Sequence, residues 1–185
     1  MNGPAVFLDR DGVLNEVVLR GEFVSSPRRL DEYVPVATAR RALSRLRAAH
    51  FGLIVVTNQP DIERGLIEAQ TLDHISADLL ERLRVDAVMT CPHTAAAGCA
   101  CRKPKPGLLL QAADLYGVDL AQSWMVGDRW VDVAAGHAAG TTTVLIDRSY
   151  SWRDAPADSP SPDYRTSSLD MAVDLILDAE RAPAR

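Results

Sequence analysis

Apolar and polar positions are arranged along this chain so that short apolar runs alternate with segments of helical periodicity. A short apolar run bounded by turn-forming residues is typical of a buried strand, and apolar residues spaced by three or four are typical of an amphipathic helix. The pattern predicts strands at residues 5–8, 53–56, 86–90, 124–126 and 141–146. It predicts helices at residues 36–50, 69–83, 108–116, 133–139 and 169–180.

This alternation of strands and helices predicts an α/β fold with a doubly wound, Rossmann-like parallel sheet that is covered on both faces. The 185 residues suffice for a single domain, which we place at 1–185. Two segments are rich in turn-forming residues: 15–35, which predicts irregular structure, and 149–167, which predicts a long loop. Residues 181–185 are predicted to be a frayed end. Ligands bind beyond the carboxyl ends of the strands in such sheets, so polar residues there are the first candidates for a site.

Two aspartates, Asp9 and Asp11, follow the first predicted strand, and Gly12 comes directly after them. Residues two apart in an extended segment point the same way, so both carboxylates can face one pocket. Like charges so close raise each other's pKa unless a cation lies between them, and magnesium prefers hard oxygen ligands of this kind. The pair therefore predicts a magnesium site, the alternative being a strand that ends in an acidic turn.

Polar side chains also follow two other predicted strands, with Thr57 and Asn58 after the second and Asp128 after the fourth. Asp9 and Asp128, with the main-chain carbonyl of Asp11, can hold a magnesium ion. A carboxylate beside a metal-bound phosphoryl group can attack phosphorus and form an aspartyl phosphate, while a second carboxyl exchanges protons. The pattern therefore favours phosphoryl chemistry, although each of these three residues alone also suits a helix cap or a turn.

Composition and charge narrow the class of protein. Apolar residues make up 47% and charged residues 24%, which is typical of a soluble globular protein. No apolar run is long enough to span a bilayer, and we expect neither a secretory signal nor a membrane partner. The net charge of −5 argues against a nucleic-acid partner. Three cysteines clustered within a few residues suit a metal better than disulfides, which predicts a cytoplasmic protein.

The cysteine cluster, residues 91–101, predicts a zinc-binding loop. Three thiolates and one imidazole form a complete tetrahedral set, as in closed structural zinc sites. The predicted ligands are Cys91, His93, Cys99 and Cys101. They run straight into Arg102 and Lys103, so zinc would fix the loop that presents both cations; Lys103 and the Thr57 hydroxyl can then stabilise phosphoryl oxygens. The alternatives are free thiols with a surface histidine, and a solvated charge at Lys103.

Four separated motifs, within residues 5–147, resemble the haloacid dehalogenase superfamily of phosphatases. More narrowly, they resemble the D-glycero-D-manno-heptose 1,7-bisphosphate phosphatases and the related histidinol-phosphate phosphatases. The motifs are Asp9-Arg10-Asp11-Gly12-Val13-Leu14-Asn15, Thr57-Asn58-Gln59, Cys91-Pro92-His93 with Cys99-Ala100-Cys101-Arg102-Lys103-Pro104, and Gly127-Asp128-Arg129.

The resemblance implies roles for the matched residues, with Asp9 as nucleophile and Asp11 as general acid and base. The implied catalytic residues are Asp9, Asp11, Thr57 and Lys103. The implied magnesium ligands are Asp9, Asp11 and Asp128. The implied substrate-binding residues are Asn58, Gln59, Arg102 and Arg129. Asp132, four residues after Asp128, is expected to support the site rather than to bind the metal.

The reaction we predict is removal of the C7 phosphate from a heptose 1,7-bisphosphate by a monomeric, magnesium-dependent enzyme without a cap domain. The short segment 94–98 is closer to the histidinol-phosphate type, whereas Arg64 and residues 102–107 fit the heptose group better. Histidinol phosphate or another small phosphomonoester is therefore the alternative substrate, and a non-catalytic zinc-bearing scaffold is the alternative class. The chain has Pro60 and Asp61 where Ser-Gly is more usual, and we expect Asp61 and Glu63 to point away from the phosphate site.

Overall fold

The computed structural model describes residues 2–181 of the chain. Of the predicted frayed end at 181–185, Arg181 is the last residue of a helix, and 182–185 lie outside the described residues. The strands are β1 (Ala5–Leu8), β2 (Val18–Arg20), β3 (Phe23–Ser25), β4 (Gly52–Asn58), β5 (Ala87–Cys91), β6 (Trp124–Gly127), β7 (Thr142–Ile146) and β8 (Tyr164–Thr166). The helices are α1 (Ala39–Ala48), α2 (Pro60–Glu63), α3 (Ala69–Ala77), α4 (Gly107–Tyr116), α5 (Trp130–Ala139) and α6 (Leu169–Arg181). None of the helices described is long and apolar enough to cross a membrane.

The central sheet has six strands in the order β5-β4-β1-β6-β7-β8, and every neighbouring pair is parallel. Alternate residues of β1 point to opposite faces, as the pleat requires. Val6 and Leu8 pack into a core that includes Leu43 of α1 and Val173 of α6, whereas Phe7 packs into a second core with residues of α4 and α5. This arrangement confirms the predicted doubly wound α/β fold.

Two elements of the fold were not predicted. Segment 15–35 contains the antiparallel hairpin β2–β3, and segment 149–167 contains β8, the sixth strand of the sheet. Each of these strands has only three residues, and the hairpin leaves Leu19 and Phe23 exposed. Strands without a buried face carry no apolar pattern that a sequence could reveal.

The predicted helix 69–83 is an α-helix only as far as Ala77. It then continues as a single π-helical stretch, Asp78–Arg82. The predicted helix 36–50 is likewise shorter and spans Ala39–Ala48. Helix ends are set by local hydrogen bonding that apolar spacing does not report.

The crevice that the topology creates lies beyond the carboxyl ends of β4, β1 and β6. These strands are adjacent in the sheet, and the main-chain N–H of Asp9 donates to the Val126 carbonyl at 2.9 Å. The side chains that follow the three strands therefore meet at one edge. Hairpin β2–β3 forms one wall of this crevice through Val24 and Ser25.

Candidate active site

Three carboxylates meet at the crevice, those of Asp9, Asp128 and Asp132. One oxygen of each lies within 4.8 Å of an oxygen of the others. Asp9 follows β1, Asp128 follows β6, and Asp132 lies in the first turn of α5, where Oδ2 accepts from the Arg129 main-chain N–H at 3.0 Å. Asp128 and Asp132 are fully buried. Buried carboxylates this close together require positive charge between them.

Lys103 supplies one of the positive charges. Its Nζ lies 2.8 Å from Asp9 Oδ1 and 2.6 Å from Asp132 Oδ1, and it donates to the Val56 carbonyl at 2.7 Å. The residue is only 2% exposed, which excludes the alternative of a solvated loop charge. One ammonium against three carboxylates leaves a deficit of two positive charges. The donor set therefore fits a divalent cation bound by hard oxygens, as magnesium requires.

Asn58 holds Lys103 in place from the end of β4. Its side-chain amide donates to the Lys103 main-chain carbonyl at 3.0 Å, and its amide oxygen accepts from the Lys103 N–H at 3.1 Å. This reciprocal pair fixes the loop after the cysteine cluster against the sheet. Asn58 also lines the cavity, so a substrate contact for it stays a prediction.

A second observation supports a cation at the trio. Among the described residues, Asp128 Oδ1 is buried without a hydrogen-bond partner. Burial, with the neighbouring carboxylates of Asp9 and Asp132, raises the pKa of Asp128 well above its ordinary value. Gly12 stands at φ +85°, and a Cβ atom there would lie 1.9 Å from Asp128 Oδ2, so glycine is required for the carboxylate to occupy this position.

Asp9 gives a pH-dependent prediction. Burial, opposed by Lys103, raises its pKa from 3.8 to about 6 in the folded protein. The folded state therefore binds more protons than the unfolded state between these values, and the contribution of Asp9 to stability is lost as the pH rises through about 6. In magnesium-free buffer, the unfolding free energy of Asp9→Asn minus that of wild type should therefore increase between pH 4 and 7, by up to about 3 kcal/mol.

Urea unfolding of both proteins at several pH values measures this difference. Magnesium should diminish it, because a cation favours the ionised carboxylate. A difference that is independent of pH would contradict the buried, carboxylate-rich setting of Asp9. Chelators are avoided, since they would also remove zinc.

Asp11 lies apart from the trio, in a shell of donors. Arg10 donates to both of its oxygens, from Nη2 at 3.0 Å to each, and Asn15, Ser26 and Gln59 donate at 2.8–2.9 Å. Burial alone would raise the pKa of Asp11, but Arg10 and the other donors outweigh it and the pKa is lowered. The side chain of Asp11 is thus not among the clustered carboxylates, and its main-chain carbonyl as a metal ligand stays a prediction.

The structure does not support a substrate contact for Gln59. This residue is 1% exposed, and its Nε2 donates to both Asp11 Oδ2 and Thr57 Oγ1 at 2.8 Å. Gln59 comes directly after β4, and its buried amide is bonded to the two side chains rather than exposed to the cavity. Gln59 therefore orients Asp11 and Thr57, both of which line the cavity.

The cavity in front of these groups has a volume of about 610 Å³. Arg102 and Arg129 line it, as predicted for substrate-binding residues, together with Arg64. Arg102 Nη1 donates to the His93 carbonyl at 3.0 Å, which ties this arginine to the cysteine cluster. The lining of the cavity thus includes three guanidinium groups, which suits a second anionic group on a substrate.

Asp61 was predicted to point away from the phosphate site, and this is wrong. It lies in the cavity wall, 4% exposed, where Oδ2 accepts from Arg28 Nε at 2.7 Å and Oδ1 from Arg64 Nη1 at 3.1 Å. The two guanidinium groups compensate its charge, so the carboxylate does not repel an anion as a lone acid would. Glu63 is exposed, and accepts from the Thr94 main-chain N–H.

The four residues of the predicted zinc site come together in the structure. The donor atoms of Cys91, His93, Cys99 and Cys101 all lie within 4.8 Å of one another, and the three sulfur atoms are 3.2–3.7 Å apart. This spacing is too long for a disulfide, and it is close to the sulfur separation of about 3.8 Å in a tetrahedral site with Zn–S bonds of about 2.3 Å. The donor set fits structural zinc.

We expect the purified protein to contain about one zinc per chain. His93→Asn should lose most of this zinc, whereas His50→Asn should keep it, because His50 is exposed and its φ of 68° suits asparagine. Elemental mass spectrometry measures the content of each protein. Wild-type protein that is folded without zinc would refute the site.

Comparisons with known proteins show which family this chain belongs to. The HAD-hydrolase-like family model matches residues 100–172. The D-glycero-beta-D-manno-heptose-1,7-bisphosphate 7-phosphatase of Pseudomonas aeruginosa is 37% identical over 79% of this chain and 82% of its own length. The enzyme of the same name from Escherichia coli K12 is 38% identical over 79% of this chain and 80% of its own.

A solved structure is similar over almost the whole chain. It is the D,D-heptose 1,7-bisphosphate phosphatase from B. bronchiseptica in complex with magnesium and phosphate. The TM-score is 0.80 at 32% sequence identity, covering 97% of this chain and 99% of that one. The complex shows that a chain of this fold binds both ligands that the trio and the cavity suit.

Proposed function

This chain belongs to the heptose 1,7-bisphosphate 7-phosphatases of the haloacid dehalogenase superfamily, and from that premise we propose that it removes the C7 phosphate of D-glycero-β-D-manno-heptose 1,7-bisphosphate. The observation that carries the proposal is the meeting of Asp9, Asp128 and Lys103 beside a cavity whose lining includes three arginines. The three carboxylates suit a magnesium-bound phosphoryl group, and the arginines in the cavity lining suit a second phosphate.

In the first step an Asp9 oxygen attacks phosphorus while the bond from phosphorus to the C7 oxygen breaks. The product is an aspartyl phosphate. Asp11 gives its proton to the departing C7 oxygen. The donors around Asp11 lower its pKa, so it must take up this proton as substrate arrives, which the negative charge of a phosphate monoester favours.

In the second step water attacks the aspartyl phosphate and Asp11 accepts its proton. Phosphate leaves and the Asp9 carboxylate is restored. This role is supported by the four neighbours of Asp11, which hold it as an oriented carboxylate. Ser26 and Gln59 fix Oδ2, and Asn15 fixes Oδ1.

Charge on the phosphoryl oxygens is stabilised by Lys103 and by the Thr57 hydroxyl, which lines the cavity. Asp9 and Asp128, with the Asp11 carbonyl, would hold magnesium. The metal, when bound, supplies Lewis-acid stabilisation of the phosphoryl charge. Asp132 keeps Lys103 charged and directed at the site through their ion pair.

A substrate panel tests this proposal. We expect kcat/KM for the heptose bisphosphate to exceed that for histidinol phosphate by about tenfold to a hundredfold, the value of one or two hydrogen bonds to a charged group. Arg102→Met should lower kcat/KM for the bisphosphate and leave that for histidinol phosphate nearly unchanged. Phosphorus NMR of the products identifies the phosphate that is released, and both anomers are compared.

Faster hydrolysis of histidinol phosphate would overturn the heptose assignment and leave a phosphatase. Release of the C1 phosphate would overturn the assignment of the reactive position. No hydrolysis of any phosphomonoester would overturn the proposed function as a whole.

We further propose that the enzyme is a single domain that acts as a cytoplasmic monomer. One chain supplies every group named in the two steps, so the site needs no second copy. The three cysteines are unpaired, which suits a reducing compartment. Gel filtration with light scattering measures the oligomeric state.

A further inference from the structure

The loop after β7 holds Asp128 through two separate hydrogen bonds. The Tyr150 hydroxyl donates to Asp128 Oδ2 at 2.7 Å. The Ser151 hydroxyl donates to the Asp128 main-chain oxygen at 2.6 Å. Both the side chain and the main chain of this aspartate are thus fixed from one segment, residues 148–151, which we call the β7 clasp.

The β7 clasp is itself anchored to the fold. The Ser151 carbonyl accepts from the N–H of Trp130, the first residue of α5, at 2.9 Å. The Ser151 hydroxyl oxygen also accepts from the Arg148 N–H at 2.8 Å, and Ser151 is 1% exposed. Ser151 therefore has no freedom to move away from Asp128 without breaking main-chain contacts to the helix. This makes the clasp a rigid support.

The two oxygens of Asp128 are in different situations. Oδ2 is bound by Tyr150, whereas Oδ1 is buried without a partner in the described part of the chain. A hydrogen bond to one oxygen restrains the rotation of a carboxylate, and so limits where the other oxygen points. Gly12 leaves the room for this pair, since a Cβ there would lie 3.1 Å from the Tyr150 hydroxyl.

We propose that Tyr150 is a positioning residue that presents Asp128 Oδ1 to the magnesium ion, with Ser151 fixing the main chain beneath it. A phenol suits this task, because it is protonated at neutral pH and donates one hydrogen bond. Groups that orient a metal ligand in this way typically change metal affinity about 10–100-fold. The inference rests on the proposed function only in that Asp128 binds the magnesium of a phosphatase.

The test is the affinity for Mg²⁺ itself, measured by calorimetry on zinc-loaded protein without substrate. Tyr150→Phe removes one hydroxyl and keeps the ring. We expect its magnesium Kd to rise about 10–100-fold, with kcat at saturating magnesium within a few-fold of wild type. Tyr164→Phe is the matched control, since the Tyr164 ring packs 5.9 Å from that of Trp124, away from the site. Its Kd should not change.

A second readout separates positioning from stability. Magnesium should raise the Tm of Tyr150→Phe less than that of wild type at equal concentration, whatever the Tm without magnesium. A wild-type Kd in Tyr150→Phe overturns the proposal. If this variant does not fold, Ser151→Ala takes its place, and an unchanged Kd there overturns the proposal equally.

The outcomes for the proposed function are distinct. A wild-type protein that binds magnesium, loses affinity with Tyr150→Phe and hydrolyses no phosphate ester would refute the phosphatase and leave the role of Tyr150 intact. A wild-type protein that binds no magnesium would overturn the role of Tyr150.

Discussion

Asp9→Asn is expected to abolish phosphate release, with kcat at least about a thousandfold below wild type, because an amide cannot attack phosphorus. The fold should be retained. Asp9 lies with two other carboxylates, and Lys103 keeps its partner Asp132 when Asp9 is neutral. Loss of activity therefore comes with undiminished stability, which distinguishes a lost nucleophile from an unfolded protein.

Asp154→Asn is the matched control for this variant. Asp154 lines the same cavity, is exposed and stands at φ 61°, a conformation that asparagine tolerates. It lies outside the carboxylate trio, so we expect near wild-type turnover. Single-turnover assays with acid quench should also show that only proteins with Asp9 form phosphorylated enzyme. Substantial turnover by Asp9→Asn would exclude the aspartyl-phosphate mechanism.

The sequence could predict the core of the fold because buried parallel strands leave continuous apolar runs. All five runs became strands of the sheet, and their polar tips met at one edge. Parallel strands end at the same edge of a sheet, and β4, β1 and β6 are neighbours in it, so Thr57, Asp9 and Asp128 come together. Strand β8 was not predicted, because a three-residue edge strand with exposed residues has no continuous apolar run.

Orientations within the site could not be predicted in the same way. Asp61 is expected from the sequence to face outward, because a lone carboxylate would repel phosphate. Its ion pair with Arg28, which lies 33 residues earlier in the chain, neutralises that charge and allows Asp61 to line the cavity. Tyr150 lies in a segment whose composition indicates only a loop. Its bond to Asp128 depends on tertiary packing. Arg10 stands between Asp9 and Asp11 in the sequence, and a cation between two carboxylates indicates an ion pair such as the one it forms with Asp11.

Lys103→Met is expected to have the largest effect on stability. The variant keeps the length of the side chain and leaves Asp9 and Asp132 buried without their ammonium partner. Breaking a buried ion pair from one side typically destabilises a protein by about 3–5 kcal/mol. We also expect kcat to fall about a hundredfold to a thousandfold, because a donor to the phosphoryl oxygens is lost. Urea unfolding and steady-state kinetics measure the two effects.

Lys105→Met is the matched control, since Lys105 is exposed in the same loop and donates to the carbonyls of Gly98 and Cys99. Its unfolding free energy should stay within about 0.5 kcal/mol of wild type.

Two further measurements test whether Lys103→Met loses stability because a charge is removed rather than because packing changes. Magnesium should restore part of the stability of Lys103→Met, because a divalent cation at the trio replaces the missing positive charge. Adding Asp132→Asn to Lys103→Met should cost less than the two single losses together, because the ammonium and this carboxylate compensate each other. If the losses of unfolding free energy are additive, or if Lys103→Met is as stable as wild type, Lys103 does not neutralise the trio. The electrostatic argument for a divalent cation between these carboxylates would then fail.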